Sequence, residues 1–465
     1  MARANKIQRT KGVGLVTVYA FVLFAMPKLN ISLGPVPVYF IDVMGALIIY
    51  SVLRQNPDTA LPVRHPFRSI ISLITVIALL SEVMGFLYGA SILNSVYFSM
   101  RYLIIGMVFF AIPQILRTKN DIEPVLKAIA LSLLVTGLLM ISSSLPGTRG
   151  IALFIFSIPF LEPAANSTGY LLTFMQEGIR GRSLVGVSII SATYASISWP
   201  LVACLRTKMF KLNAAWTLIA SAALLLAPMA VAVAYSRQAL VGGVLILLAT
   251  MFLNLGELRR RIIVPVLLTA CVVAVVGAGS SLFLFDRYVN RFEATLSNPF
   301  EDERETARLL SYVQPFEHVV SNPQYALLGE GLSGIRRFNS EHSAVVGNHS
   351  LVGSGYFTRG LMGVFLILFL LVSATFYANW HRKRSLDGPS QNYPRALFLA
   401  MLPFWPFAAF APGLGSEPRA MLVLIFILAL LATLRNLQFE QATNHAVEAP
   451  QPAEDLPPAT ATAKA

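Results

Sequence analysis

GYFTRGLMGVFLILFLLVSATFYAN, residues 355–379, carries a single charged side chain, Arg359, and is followed by the basic run Arg382, Lys383 and Arg384. A helix that crosses a bilayer needs about 20 mainly apolar residues, and Lys and Arg collect at its cytoplasmic end. The stretch therefore reads as a transmembrane helix whose C-terminal end lies in the cytoplasm. The whole chain has the same character: its 465 residues are 55% hydrophobic and 13% charged, with a mean hydropathy of +0.66. Soluble proteins carry about 25% charged residues, so ordinary water-soluble domains are excluded. The net charge of +13 would suggest a nucleic-acid partner in a soluble chain. Here the cations flank apolar runs and read as topology signals, with no nucleic acid implied.

Outward from that helix, apolar runs fall near 12–28, 33–53, 69–90, 96–116, 122–142, 184–205, 213–235, 238–256, 262–285, 396–411 and 420–434. The expectation is an all-α polytopic membrane protein of about twelve transmembrane helices, with both termini on one side. That side holds 22 Lys and Arg residues, among them Arg54, Arg117, Arg206, Arg259, Arg260, Arg261 and Arg395, against 13 on the other. The richer side is read as cytoplasmic. The first run has no A-x-A cleavage site and is read as a retained helix rather than a signal peptide. The predicted organisation is a transmembrane domain over 1–437, with external segments at 143–183 and 286–354, and a disordered cytoplasmic tail over 438–465. The piece IALFIFSIPFLE (151–162) is too short to span and reads as interfacial or re-entrant. Cys204 and Cys271 lie within apolar runs and read as small core hydrophobes, leaving no disulfide framework.

Charge inside the predicted spans is scarce. Asp42, Glu82 and Arg101 lie at similar depth in the outer leaflet, either as a structural ion cluster joining spans 2, 3 and 4 or as part of a substrate path. Arg237 ends the run AYSRQAL at the external surface, where it either snorkels or holds the phosphates of a lipid through its planar fork. The long loop 286–354 is the expected seat of chemistry. Its segment 301–320 reads as an amphipathic helix bent by Pro315, with Arg304 and Arg308 paired to acids three residues earlier. The acidic residues Glu301, Asp302 and Glu303 point in different directions around that helix and make no metal site.

GEGLSG (329–334) matches a dinucleotide-binding pattern, which has that meaning only after a buried strand in a βαβ unit. In a helical membrane protein it reads instead as a flexible turn whose backbone N–H groups, at Gly329 and Gly331, can approach a phosphate or sugar. Three histidines are external, His318, His342 and His349. His349 stands just before the tenth span, where a neutral imidazole is placed to act as a general base for a hydroxyl; the other two are the comparators expected to matter far less.

Taken in order, Ser236-Arg237, Arg308 with Leu309 and Leu310, Gly329 and Gly331, His349, and Gly360-Leu361-Met362-Gly363 resemble the pattern of the O-antigen ligase and polysaccharide polymerase superfamily of bacterial inner membranes. The resemblance covers residues 184–380. Ser350 follows the histidine where many members carry Asn, Asn348 precedes it, and Gln238 replaces a small residue after the arginine. The resemblance implies a metal-independent membrane glycosyltransferase of GT-C type, without a cofactor, in the bacterial inner membrane. Its donor would be a glycan on undecaprenyl pyrophosphate and its acceptor a glycan or lipid A-core, with chain-length or export proteins as candidate partners. His349 would be catalytic and Arg237 and Arg308 would bind substrate, with Arg304, Gly329, Gly331, Asn348 and Ser350 in support. A polymerase is favoured over a ligase by the altered neighbours of His349. A lipid-linked sugar flippase or other transporter is the third reading, opposed by the sparse intramembrane charge.

Overall fold

A computed structural model describes residues 2–27, 29–33, 36–54, 66–145, 147–156, 182–185, 188–234, 236–280, 313, 317–318, 320–342, 351–384, 388–410 and 418–448. Helices dominate. In chain order they are α1 (Ala2–Ala25), α2 (Phe40–Leu53), α3 (Arg68–Leu87), α4 (Ile92–Ile115), α5 (Lys119–Ser144), α6 (Arg149–Phe156), α7 (Ser188–Leu205) and α8 (Ala214–Val233). They continue with α9 (Arg237–Phe252), α10 (Glu257–Ser280), α11 (Gly331–His342), α12 (Leu351–Arg384), α13 (Asn392–Met401), α14 (Phe404–Phe410), α15 (Pro418–Ala432) and α16 (Leu434–Glu448). Among the described residues, seven helices are long and apolar enough to cross a membrane, and shorter apolar helices lie at Lys11–Ala25, Phe40–Leu53 and Arg237–Phe252. The chain is therefore a helical membrane protein.

Burial separates the helices into central and peripheral ones. The apolar windows of α7 and of the continuous segment Ala420–Ala442 are each 94% buried inside the protein, against 33% for α8. A helix that is apolar all round and enclosed by protein belongs to the core, whereas one exposed face belongs to lipid. The sequence of α7, SIISATYASISWPLVACL, suits that place because small residues let neighbouring backbones approach closely. Two of its hydroxyls bond back to their own helix, Ser196 to Ala192 O at 3.0 Å and Ser198 to Tyr194 O at 2.8 Å, which pairs these groups within the core. Helix α7 packs on α5, α8 and α13, and α15 packs on α4 and α13; on the other side α3 lies against α4, α11 and α12.

Four expectations change. The stretch 33–53 begins with an antiparallel hairpin, β1 (Asn30–Leu33) and β2 (Val36–Tyr39), in which Ser32 faces Pro37. Pro37 has no N–H for a helix ladder and biases the residue before it towards extended backbone, so the helix starts only at Phe40. Second, 396–411 is two helices, α13 and α14, broken ahead of Pro403. Third, the tail from Gln438 is helical as far as Glu448, and the Glu440 carboxylate accepts the Lys119 N–H at 3.3 Å. Fourth, Cys204 is buried but Cys271 is exposed on α10, so only the first is a core residue. The short helix α6 spans about 12 Å at 1.5 Å per residue; Ala152 and Phe156 are buried beside Leu139 and Leu184 while Ile151 and Phe154 face outward.

Candidate functional site

Glu82 organises the polar centre of the described structure. It stands on α3, fully buried, where a lone carboxylate would be strongly disfavoured. The first turn of α11 removes that cost: Glu82 Oε1 accepts the Leu332 N–H at 2.7 Å and Oε2 the Ser333 N–H at 3.3 Å. These are two of the donors that every helix leaves unsatisfied at its start, and the helix dipole favours an anion at that end. The turn reaches Glu82 because the GEGLSG backbone bends through left-handed residues, Gly329 at φ +69° and Gly331 at φ +70°. The Gly329 N–H, expected to approach a phosphate or sugar, donates to Tyr325 O at 2.8 Å, and the Leu332 and Ser333 N–H groups are occupied by Glu82. Glu82→Ala leaves them buried and unpaired, which costs about 1–3 kcal/mol and should lower the thermal unfolding midpoint of the purified protein; an unchanged midpoint would show that the cap carries no stability.

The same turn closes a break in α12. Gly360 is non-helical, with φ 63° and ψ −170°, and divides the helix in two. Backbone groups released by such a break must be satisfied inside the protein at membrane depth. The Leu361 and Met362 N–H groups donate to Ala326 O at 2.9 Å and Leu327 O at 3.3 Å, and Phe357 O accepts the Glu330 N–H at 2.9 Å. Ser81 Oγ meets the Leu328 carbonyl from α3.

Around this seam the side chains form a polar and aromatic knot. The buried Glu330 carboxylate pairs with His318 Nε2 through Oε1 and with Arg337 Nη2 at 3.5 Å through Oε2. The His318 ring stacks parallel to Tyr325 at 5.8 Å and lies 4.9 Å from Phe357, and Tyr88 meets Tyr325 edge-on at 4.8 Å. Burial and the nearby Glu330 carboxylate raise the Tyr325 phenol above its ordinary range, so it remains a neutral hydrogen-bonding group. Arg359, fully buried one residue before the break, reaches Tyr102 OH at 3.3 Å with its guanidinium 5.2 Å from that ring. A groove of about 300 Å³ between α3 and α4 has Glu82, Ser95 and Ser99 in an otherwise apolar wall.

The three charges Asp42, Glu82 and Arg101 do not form one cluster. Arg101 Nε bonds Asp42 Oδ2 at 2.8 Å across α2 and α4, with the guanidinium over the rings of Tyr39 and Tyr97 at 4.6 and 5.6 Å. This pair joins α2 to α4 only, and Glu82 on α3 takes the separate partner described above. Arg237 opens α9, half-buried, directly after Ser236, whose hydroxyl accepts the Ala239 N–H at 3.4 Å. Helix α9 packs on α7, α8, α10, α13 and α14, a different set from the α3, α4, α11 and α12 helices that hold Gly329 and Gly331. Arg304, Arg308, Asn348, His349 and Ser350 lie outside the described residues, as does most of the amphipathic segment 301–320.

Compared with known proteins, the chain matches no family model and no curated protein.

Sequence reasoning undervalued three members of this site. Arg359 lies within the run 355–379 but is left out of the intramembrane charges Asp42, Glu82 and Arg101, and it is fully buried. An arginine inside a run that is otherwise apolar was the available signal. Glu330 and His318 are twelve residues apart, and nothing in their spacing announces a pair; only the folding of the 326–330 segment against the α12 break brings them together.

Proposed function

We propose that this protein is a membrane glycosyltransferase of the O-antigen ligase and polymerase superfamily, acting as a polysaccharide polymerase on glycans carried by undecaprenyl pyrophosphate, with about twelve spans and a GT-C architecture. The observation that carries the reading is the seam between the G-x-G turn and the Gly360 break. Two motifs that the superfamily resemblance lists separately, thirty residues apart, are in direct backbone contact here. These two motifs thus form one built unit, while Arg237 stands on a separate group of helices.

In this reading a pyrophosphate is already a good leaving group, and the enzyme's task is to stabilise its charge while the acceptor loses a proton. The anomeric carbon–oxygen bond to phosphate breaks and a glycosidic bond to the acceptor hydroxyl forms. The hydroxyl proton passes to His349, and undecaprenyl pyrophosphate leaves with both bonding electrons. Arg237 and Arg308 hold the pyrophosphate. Lysine keeps their charge but loses the two-pronged fork, so Arg237→Lys and Arg308→Lys should each slow turnover about tenfold or more, short of the 10²–10³ that follows outright loss of a donor. Near-normal rates in both variants, measured on folded protein, would remove the clamp.

The reaction requires the 286–354 loop on the periplasmic face and both termini inside, the orientation that follows from the division of positive charge. A cysteine placed at Asn339 should react with an impermeant maleimide in intact spheroplasts; reaction only after the inner membrane is opened means an inverted topology.

Reconstituting the purified protein with an undecaprenyl-pyrophosphate oligosaccharide separates the readings. A ladder of longer lipid-linked glycans is the polymerase result. Glycan appearing on added lipid A-core is the ligase result. The broken α12 with its buried Arg359 also has a counterpart in transporters, where discontinuous helices surround the substrate; movement of the lipid across the vesicle without any new glycosidic bond would establish that reading instead.

A further inference from the structure

A cationic site lies at the N-terminal end of α10. There a cavity of about 230 Å³ opens between α8 and α10, and Arg206, Arg260 and Arg261 line it together with Leu225, Val264 and Leu268. The three apolar residues are exposed on the protein surface, at a height where the surroundings are lipid. Among the described residues the acid facing these cations is Glu257. It bonds Arg261 Nη2 at 3.0 Å and accepts the Lys208 N–H at 2.9 Å, so it is already engaged twice. Burial raises the Glu257 carboxyl, but the Lys208 N–H and Arg261 outweigh that effect and hold it below the usual carboxylate range, so it stays charged. One carboxylate against three guanidiniums leaves the pocket with a net charge of about +2. Its cost is visible at Arg206, whose guanidinium is pushed down first by burial and then by the charge of Arg261.

We propose that this groove binds an anionic phospholipid of the cytoplasmic leaflet, with the phosphate held by Arg206, Arg260 and Arg261 and the acyl chains lying along Leu225, Val264 and Leu268. Charge complementarity selects an anion, and guanidinium forks suit a phosphodiester. The apolar half selects a lipid over a soluble phosphate. From Arg261 to Leu268 the helix rises about 10 Å at 1.5 Å per residue, which matches the step from a headgroup phosphate to the upper part of its acyl chains. Basic pockets between helices on the cytoplasmic side are where anionic headgroups are held. The Arg-rich end therefore does more than set topology, and the bound lipid would brace α10 against α8, already joined by the Thr269 hydroxyl to Leu225 O at 3.1 Å.

Native mass spectrometry of the full chain, titrated with phosphatidylglycerol or with phosphatidylcholine of the same acyl chains, tests this directly. Phosphatidylglycerol should bind at least tenfold more tightly, and the Arg206→Gln, Arg260→Gln, Arg261→Gln triple variant should lose that preference. Equal affinity for the two lipids, or an unchanged preference in the triple variant, overturns the proposal. Because removing three cytoplasmic cations can disturb insertion, Leu268→Trp gives a second readout with every arginine in place. Its added fluorescence, relative to the parent protein in nanodiscs, should be quenched more by brominated phosphatidylglycerol than by brominated phosphatidylcholine; equal quenching overturns the site. Displacement of bound phosphatidylglycerol by millimolar inorganic phosphate would assign the pocket to a soluble anion and overturn it as well.

Discussion

Replacing His349 by alanine is expected to slow turnover by about 10²–10⁴-fold at saturating donor, the usual worth of general-base help to a poor nucleophile, while donor binding survives. A sugar hydroxyl hardly ionises near neutral pH, so its attack on the anomeric carbon depends on a group that takes the proton as the bond forms. His349 stands two residues before α12, within the stretch 347–363 that resembles the superfamily motif. The comparison to run is turnover in purified, folded protein for His349→Ala, His342→Ala and His318→Ala. His342→Ala should stay close to wild type. His318 is the partner of the buried Glu330, so His318→Ala should reduce the yield or melting point of folded protein more than the rate per folded molecule. If His349→Ala keeps more than about a tenth of the wild-type rate, below the lower end of that range, His349 only orients the substrate, and Glu330 and Glu341 become the next bases to test.

The second large effect concerns the seam itself. Gly329 is at φ +69°, and a Cβ there would fall 2.5 Å from both Arg359 N and the Thr358 carbonyl carbon and 2.6 Å from Phe357 O. All three are backbone atoms of α12, which cannot swing aside as a flexible side chain can. Alanine at 329 therefore pays twice, about 1–2 kcal/mol for left-handed backbone and roughly 1–3 kcal/mol or more for overpacking. Gly388 provides the internal control: it has φ +58°, with no atom of the described residues within 4 Å of its would-be Cβ. Gly388→Ala should show the conformational cost alone, about 1–2 kcal/mol, and Gly329→Ala clearly more. Thermal unfolding of the two variants in the same detergent makes the measurement. Equal losses would mean that the turn and the α12 break are not packed together.

The change at Gly329 would also disturb Glu330, Arg359 and Glu82, which all take their positions from the same seam. Any rate measured for the proposed reaction should accordingly be compared per folded molecule.

Sequence alone determined the solvent this protein folds in. Apolar runs of helix length, with few charges inside them and clustered cations beyond their ends, permit little except helices in a bilayer, since each backbone group must be satisfied within its own segment. It also marked where a price had to be met: Asp42, Glu82 and Arg101 are too costly in a membrane to stand without partners. The identity of those partners was decided only by tertiary structure. Burial makes a partner necessary but does not say which residue supplies it. Arg101 chose Asp42 because α2 and α4 cross beside each other, while Glu82 was matched by backbone N–H groups 250 residues away, donors that no sequence pattern displays. The α12 break has the same origin. Gly360 permits a left-handed residue, but permission becomes structure only where the 326–330 backbone arrives to take up the hydrogen bonds that the helix gives up.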